Sequence, residues 1–277
     1  IQTELQCDYA RSVGGGGNRL SSNLRGFTLA EGATHVAMIA DVRRYAFTLA
    51  EVLVTLGIIG VVSAMTVPSL MQNYQRQSYV TQLHKVYNEI QQASLKYMND
   101  KNAINLREAG LTTSAEMKIF LKDYFKVIND CETYVKEPCF AASYKSINGT
   151  SYYTGGEWGA GASVLLASGA GILLDRPSQY QITVGDVTSY HGHMLIDING
   201  PKGPNIAGRD LFYAEFYDDG SIDVLGATPE CKSKGICSED SSLDDIRNDL
   251  FDENCLSSNY GKGCIGKIIN DGWQMNY

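Results

Sequence analysis

Phe47-Thr48-Leu49-Ala50-Glu51, followed by VLVTLGIIGVVSAMTVPSLMQNYQ over residues 52–75 and then Arg76, is the stretch on which the fold turns. Residues 52–75 carry no charge. At 1.5 Å per residue they make roughly 36 Å of helix, enough to cross a hydrocarbon core about 30 Å thick. Arg43 and Arg44 stand just ahead of the run, so the positive-inside rule places that side in the cytoplasm and the chain beyond the run outside it. Pro68 lies within the run and removes one backbone hydrogen bond, which predicts a bend. From Gln72 to about Asn99 the pattern turns amphipathic. Tyr79, Leu83, Val86, Tyr87, Ile90, Ala93, Leu95 and Tyr97 recur at near-helical spacing, so this half is expected to pack one face against a head. A secretory peptide would end its apolar core in a small-residue cleavage site, and Ser63-Ala64-Met65 lies inside the run instead. A plain anchor has no use for Glu51 beside its apolar start, where an unpaired carboxylate is costly.

Arg43-Arg44-Tyr45-Ala46 before Phe47-Thr48-Leu49-Ala50-Glu51 and an apolar helix resembles the leader of type IV prepilins and type II secretion pseudopilins. The resemblance implies that a prepilin peptidase cuts between Ala46 and Phe47 and methylates the new amine of Phe47. It implies that Glu51 pairs with the terminal ammonium of a neighbouring subunit and sets the axial register, and that Pro68 bends the helix. Ala46 departs from the Gly usual before the cut. The fold implied is α+β: a long N-terminal helix, membrane-spanning in its first half, packed on an antiparallel sheet head. The division expected is a leader over 1–46, the helix over 47–98 and an exported head over 99–277. The partners implied are prepilin peptidase, other pilin or pseudopilin subunits, the inner-membrane platform of a secretion system, and membrane lipid. The location implied is a single-pass chain of a bacterial inner membrane, its head in the periplasm or on the cell surface.

The pentapeptide FTLAE also occurs at Phe27–Glu31, after Gly26. Its residue before the cut is the better match, but helix length decides against it. The interval from Glu31 to Asp41 gives only about 14 Å of helix. A cut at Gly26 would also leave Asp41, Arg43, Arg44 and Glu51 ahead of the apolar run, each a costly charge to bring into lipid. The second copy is the working one, and the first reads as inert leader. Removing residues 1–46 discards Cys7 and leaves an even set of cysteines.

The remaining six of the seven cysteines form three close pairs: Cys131 with Cys139, Cys231 with Cys237, and Cys255 with Cys264. An exported, oxidised domain would carry such a set as disulfides, although six cysteines allow other connectivities. The competing reading is reduced and partly buried thiols; no pair has the spacing of a zinc knuckle. Over 277 residues the net charge is −8, which speaks against a general nucleic-acid partner.

In the head, Ser114–Ile128 is expected as an amphipathic helix capped by Ser114. Strands are expected at Ser163–Leu174, Tyr180–Val187, Met194–Ile198, Leu211–Tyr217 and Ile222–Leu225, with a hairpin turn at Asp219-Gly220. Asp197, Asn199 and Asp210 flank a Gly- and Pro-rich segment that resembles segments of other pilin-like heads and could hold a structural Ca²⁺. Turn side chains bonding their own backbone are the competing and favoured reading, and no other cofactor is expected. His191-Gly192-His193 offers two nitrogens, but the sequence names no third ligand, so a solvated loop is expected. Asp219 and Asp223 are expected as solvated carboxylates. Thr154–Gly161 lacks the ending of a phosphate loop, and Asn148-Gly-Thr150 is a glycosylation sequon by pattern only. Ile268, Ile269 and Trp273 are expected to dock the C-terminus on the sheet. No catalytic grouping emerges, so an enzyme is not expected.

The leading expectation is a structural subunit, a minor one, of a type II secretion pseudopilus or type IV pilus-like filament. A pilin-like adhesin or DNA-uptake subunit competes, with Tyr152, Tyr153 and Trp158 as stacking candidates. An enzyme on an unrelated anchor is the third alternative.

Overall fold

The computed structural model describes residues 48–133, 135–152, 161–234, 237, 241–257 and 261–277. Residues 1–47, with Cys7, the first FTLAE copy, Ala46 and Phe47, lie outside them, as do residues 153–160 with Tyr153 and Trp158. So does the Tyr152 side chain.

Helix α1 spans Leu49–Lys101, with Pro68 inside it and not ending it. Its first residues, up to Leu53, form a unit of their own. There Thr48 and Glu51 make a reciprocal cap. Glu51 Oε2 accepts from the Thr48 N–H and hydroxyl, both at 2.8 Å, and the Glu51 N–H donates back to Thr48 Oγ1 at 3.2 Å. Such a pair satisfies N–H groups that a helix start otherwise leaves orphaned.

From Val54 on, α1 changes character along its length. Residues 54–75 expose their apolar side chains, Val61 at 58 % and Met65 at 75 %. Beyond Arg76 the helix buries Val80, Leu83, Val86, Ile90, Ala93, Ser94, Tyr97 and Met98. The steps of three and four between them draw one helical stripe. Leu95, expected on that stripe, points outward and is exposed, because it sits one residue past the buried Ser94. The helix also runs three residues beyond the expected end at 98.

Helix α2 (Ser114–Tyr124) is capped by Thr113, not Ser114, and Glu116 completes the capping box. It stops at Tyr124 because Phe125 turns extended. Val127 and Ile128, expected in the helix, begin strand β1 (Val127–Glu132), where Val127 pairs with Leu166. Strands β2 (Tyr144–Lys145) and β3 (Ser151–Tyr152) form a small separate ladder. The main sheet continues with β4 (Gly161–Leu166), β5 (Gly171–Asp175), β6 (Tyr180–Val184), β7 (Val187–Asp197), β8 (Leu211–Tyr217) and β9 (Ile222–Asp223). Its order is β1-β4-β5-β7-β8-β9, with β6 on the first half of β7, and every pairing is antiparallel. The expected strand Ser163–Leu174 is therefore a hairpin, β4 turning into β5, while the expected strand Tyr180–Val187 is β6 over Tyr180–Val184 followed by the turn that leads into β7.

One sheet face, with Val164, Ile172, Met194, Ile196, Phe212 and Phe216, joins the α1 stripe in a single core. Tyr87 donates its hydroxyl to the Ile222 carbonyl at 3.3 Å. The Asp219-Gly220 turn lands on the helix. A Cβ at Gly220, whose φ is +84°, would lie 2.8 Å from Ser94 Cβ, so only glycine fits there. The opposite face is buried too, at one end, where Leu173, Leu195, Leu211 and Tyr213 meet Cys131, Val135, Cys139, Phe140 and Tyr144. Cover on both faces explains why β8, LFYAEFY, is buried at every position and reads as a continuous apolar run.

Sequence reasoning missed the C-terminal cover: α3 (Pro229–Lys234), α4 (Leu243–Leu250), a π-helical turn (Phe251–Cys255) and α5 (Cys264–Asn270). Disulfides join Cys131 to Cys139, Cys231 to Cys237 and Cys255 to Cys264. Ile268 enters the main core. Trp273 docks on α1 instead of the sheet, its ring stacked 4.0 Å from His84 and edge-on to Tyr87 at 4.9 Å.

Candidate functional site

Two parts of the chain carry chemistry that packing alone does not require. The first is the apolar half of α1 with Glu51 at its start. Among the described residues it is the one helix long and apolar enough to cross a membrane, and none of its most apolar window is buried. A helix apolar on all sides needs surroundings that hide it. Glu51 faces solvent with its carboxylate on Thr48, so a cation arriving from a neighbour would compete only with a local cap. Ala46 and Phe47 lie outside the described residues.

The second part is the outer sheet face beyond the apolar patch. His191 and His193 sit in the middle of β7, not in a loop, because Gly192 between them is a strand residue. A Cβ there would lie 2.4 Å from the Arg176 carbonyl, and its absence lets the neighbouring segment close over the strand. His193 pairs across the sheet with Glu215, and Glu215 with Asp223. His191 Nδ1 lies 2.8 Å from Glu215 Oε2, and His193 Nδ1 lies 3.1 Å from the same oxygen. The Tyr213 hydroxyl donates to Glu215 Oε1 at 3.1 Å and bonds His193 Nδ1. Burial would push the Glu215 carboxyl up, but the bonds from His191 and His193 outweigh it and hold it low.

Asp223 is buried as well, against expectation. It takes a two-pronged bond from Arg247, Nε at 3.0 Å and a terminal nitrogen at 2.7 Å, with Lys232 Nζ at 3.3 Å. No local pattern around Asp223 signals this, since Arg247 comes from α4, one of the elements that sequence reasoning missed. Asp219 is the exposed one, and its Oδ1 accepts from the Ser221 N–H in the turn.

In the Asp197–Asp210 segment, Tyr144 donates its hydroxyl to Asp197, which also accepts from the Asn199 N–H at 3.2 Å. Asp210 accepts from the Asn205 and Ile206 N–H groups at 2.7 and 2.6 Å. Burial pushes both carboxyls up. These carboxylates bond their own loop, as turn residues do. Yet Oδ1 of Asn199 and of Asn205 are buried with no hydrogen-bond partner. Carboxylates with spare amide oxygens are the donor type that Ca²⁺ takes.

A long helix, apolar at its start and packed on an antiparallel sheet further on, is the α+β arrangement that the sequence led one to expect. Residues 42–67 match the family model of the prokaryotic N-terminal methylation motif, the type IV pilin and pseudopilin signature. That match includes Glu51 and stops just short of Pro68. Comparison with curated proteins and with solved structures found no match. The signature implies processing by prepilin peptidase and assembly with other pilin-type subunits, and it fits single-pass anchoring in an inner membrane.

Proposed function

We propose that this chain is a minor subunit of a type II secretion pseudopilus or type IV pilus-like filament, cut between Ala46 and Phe47 and set in register through Glu51. The observation that carries the reading is the methylation motif at residues 42–67 running directly into an apolar helix that the rest of the chain leaves exposed. Lipid would cover that helix before assembly, and neighbouring helices would cover it afterwards. The carboxylate of Glu51 would then exchange its Thr48 cap for the methylated amine of a neighbour, so that two charges enter the apolar interior as one pair. The large disulfide-linked head supports a minor over a major subunit, with the head in the periplasm and the base at the inner-membrane platform.

The test is Glu51→Ala in the native host. The variant should be cut normally and enter filaments poorly. Normal incorporation would remove the register role, and mass spectrometry finding an intact 46–47 bond in assembled protein would sink the whole reading. A structural Ca²⁺ at Asp197, Asn199 and Asp210 is a smaller part of the proposal, supported by the two spare amide oxygens. A melting temperature indifferent to EGTA and to added calcium would remove it.

A further inference from the structure

The outer sheet face carries a transverse row of ionisable side chains. Asp175 follows the Leu174–Met194 pair on β5 and so stands beside His193. His193 pairs with Glu215, and Glu215 with Asp223. His191 stands two residues along β7 on the same face. Among the described residues, lysine or arginine ion pairs hold the row at one end only. Asp223 has Arg247 and Lys232. Glu215, 1 % exposed, has no lysine or arginine in ion-pair range among the described residues; its partners are His191, His193 and Tyr213. Asp175, also buried, leaves Oδ1 with no hydrogen-bond partner. Arg176 acts on Asp175 only at longer range, and a buried pair of carboxylates with no lysine or arginine in ion-pair range among the described residues is a place where a cation is favoured.

The ligand atoms are already gathered. One atom from each of His191, His193 and Glu215 lies within 4.8 Å of the others. The imidazole-to-carboxylate distances run from 2.8 to 3.3 Å. A tetrahedral ion with bonds of about 2.0–2.2 Å holds its ligands about 3.3–3.6 Å apart, so the His191–Glu215 contact at 2.8 Å opens most. The His193 side chain is 26 % exposed, which gives an ion a way in, and the Tyr180 ring lies tilted beside it at 4.3 Å. Tyr213 donates to Glu215 Oε1 and orients that carboxylate as an outer partner orients a metal ligand, while its bond to His193 Nδ1 gives way when that nitrogen takes the ion. Two imidazoles and a carboxylate are a borderline donor set, suited to Zn²⁺ and poorly suited to Ca²⁺ or Mg²⁺.

We propose that His191, His193 and Glu215 bind one Zn²⁺ ion per chain, with Asp175 as the adjoining carboxylate. The ion takes the place of the hydrogen-bonding protons between the imidazoles and Glu215. It fastens β7 to β8 at the half of the outer face that the apolar cluster does not reach. Neither the methylation motif nor a subunit role in a filament calls for it.

The test uses the full chain purified in detergent, stripped with a chelator and titrated with ZnCl₂ or CoCl₂ alone. One equivalent should bind at about 1 μM free metal, and the Co²⁺ form should show the visible bands of a four-coordinate ion. His193→Gln and Glu215→Gln should each weaken binding by about 100-fold or more, while His84→Gln, at the Trp273 stack, leaves it unchanged. Circular dichroism checks that each variant is folded. The wild-type Co²⁺ form gives a reading that needs no variant: two histidine rings should carry metal-shifted NMR signals. A folded wild type that takes up no ion, or uptake untouched by both variants, overturns the proposal. So does a Co²⁺ form with fewer than two shifted imidazoles.

Discussion

Residues 54–75 and residues 76–101 belong to one helix, yet their side chains have opposite surroundings. In the first stretch Val61, Met65 and Tyr74 lie open, and in the second Leu83 and Ile90 are wholly covered. Composition accounts for the contrast. The first stretch is apolar on every side, so no single packed face can satisfy it. The second confines its apolar residues to a stripe, which the sheet, α2 and the C-terminal segment cover together. The head therefore owes its stability to the second stretch, and the first is left for partners outside the chain. Stability and assembly are written into different lengths of the same element.

The sharpest way to break that comparison is to shorten one isoleucine in each stretch. Ile90→Ala removes a fully buried side chain from the core shared by helix and sheet, at a cost of about 2–5 kcal/mol. The head's melting temperature in detergent should fall by several degrees at least. Ile59→Ala removes a side chain that touches little of the chain, and the same melting temperature should stay within about 1 degree of wild type. Equal effects from the two variants would mean that the helix halves are not energetically distinct.

A smaller effect should sharpen where the second stretch ends its work. Trp273 closes the C-terminal segment on α1 through His84 and Tyr87 and is half-buried. Trp273→Ala should cost about 1–2 kcal/mol, below the range for a buried aromatic. It should also raise amide exchange over residues 271–277 before the sheet responds. Uniform loss of protection across the sheet would show that the C-terminus is part of the core and not a clasp on it.

The contrast was legible in the sequence because it rests on periodicity. Charge-free residues 52–75 and the stripe from Leu83 to Tyr97 are local patterns, and so is the strand Leu211–Tyr217. What was not legible depended on partners distant in sequence. Val127 joins a strand because Leu166 is there to pair with it. Asp223 is buried because Arg247 arrives from a helix 24 residues away. His191-Gly-His193 reads as a loop because an isolated glycine is ambiguous between a turn and a close approach. Its third partner, Glu215, becomes visible only through the register of β7 on β8. At the other end of the chain the methylation motif was legible outright, since its chemistry lies in contiguous residues.

The smallest expected effect sits on the flank of the head, where α2 meets β1, and it should be independent of either helix stretch. Asp130 Oδ2 lies 3.0 Å from Lys118 Nζ and 2.9 Å from Lys122 Nζ. Partial burial would push the Asp130 carboxyl up, but hydrogen bonds from Lys122, the Glu132 N–H and Lys118 outweigh it and hold it down at about 2, against 3.8 unperturbed. A depressed carboxyl adds stability above its unfolded value and loses it as pH falls through the folded one. Solvent screens this partly exposed pair, so its contribution at neutral pH is nearer 1 kcal/mol than the full shift would give. Asp130→Asn should therefore melt slightly below wild type at about pH 6, and the two curves should converge as pH falls from about 4 to about 2. A gap that persists unchanged at the acid end would trace the loss to packing or to the Glu132 turn, and would remove the two lysines from the account.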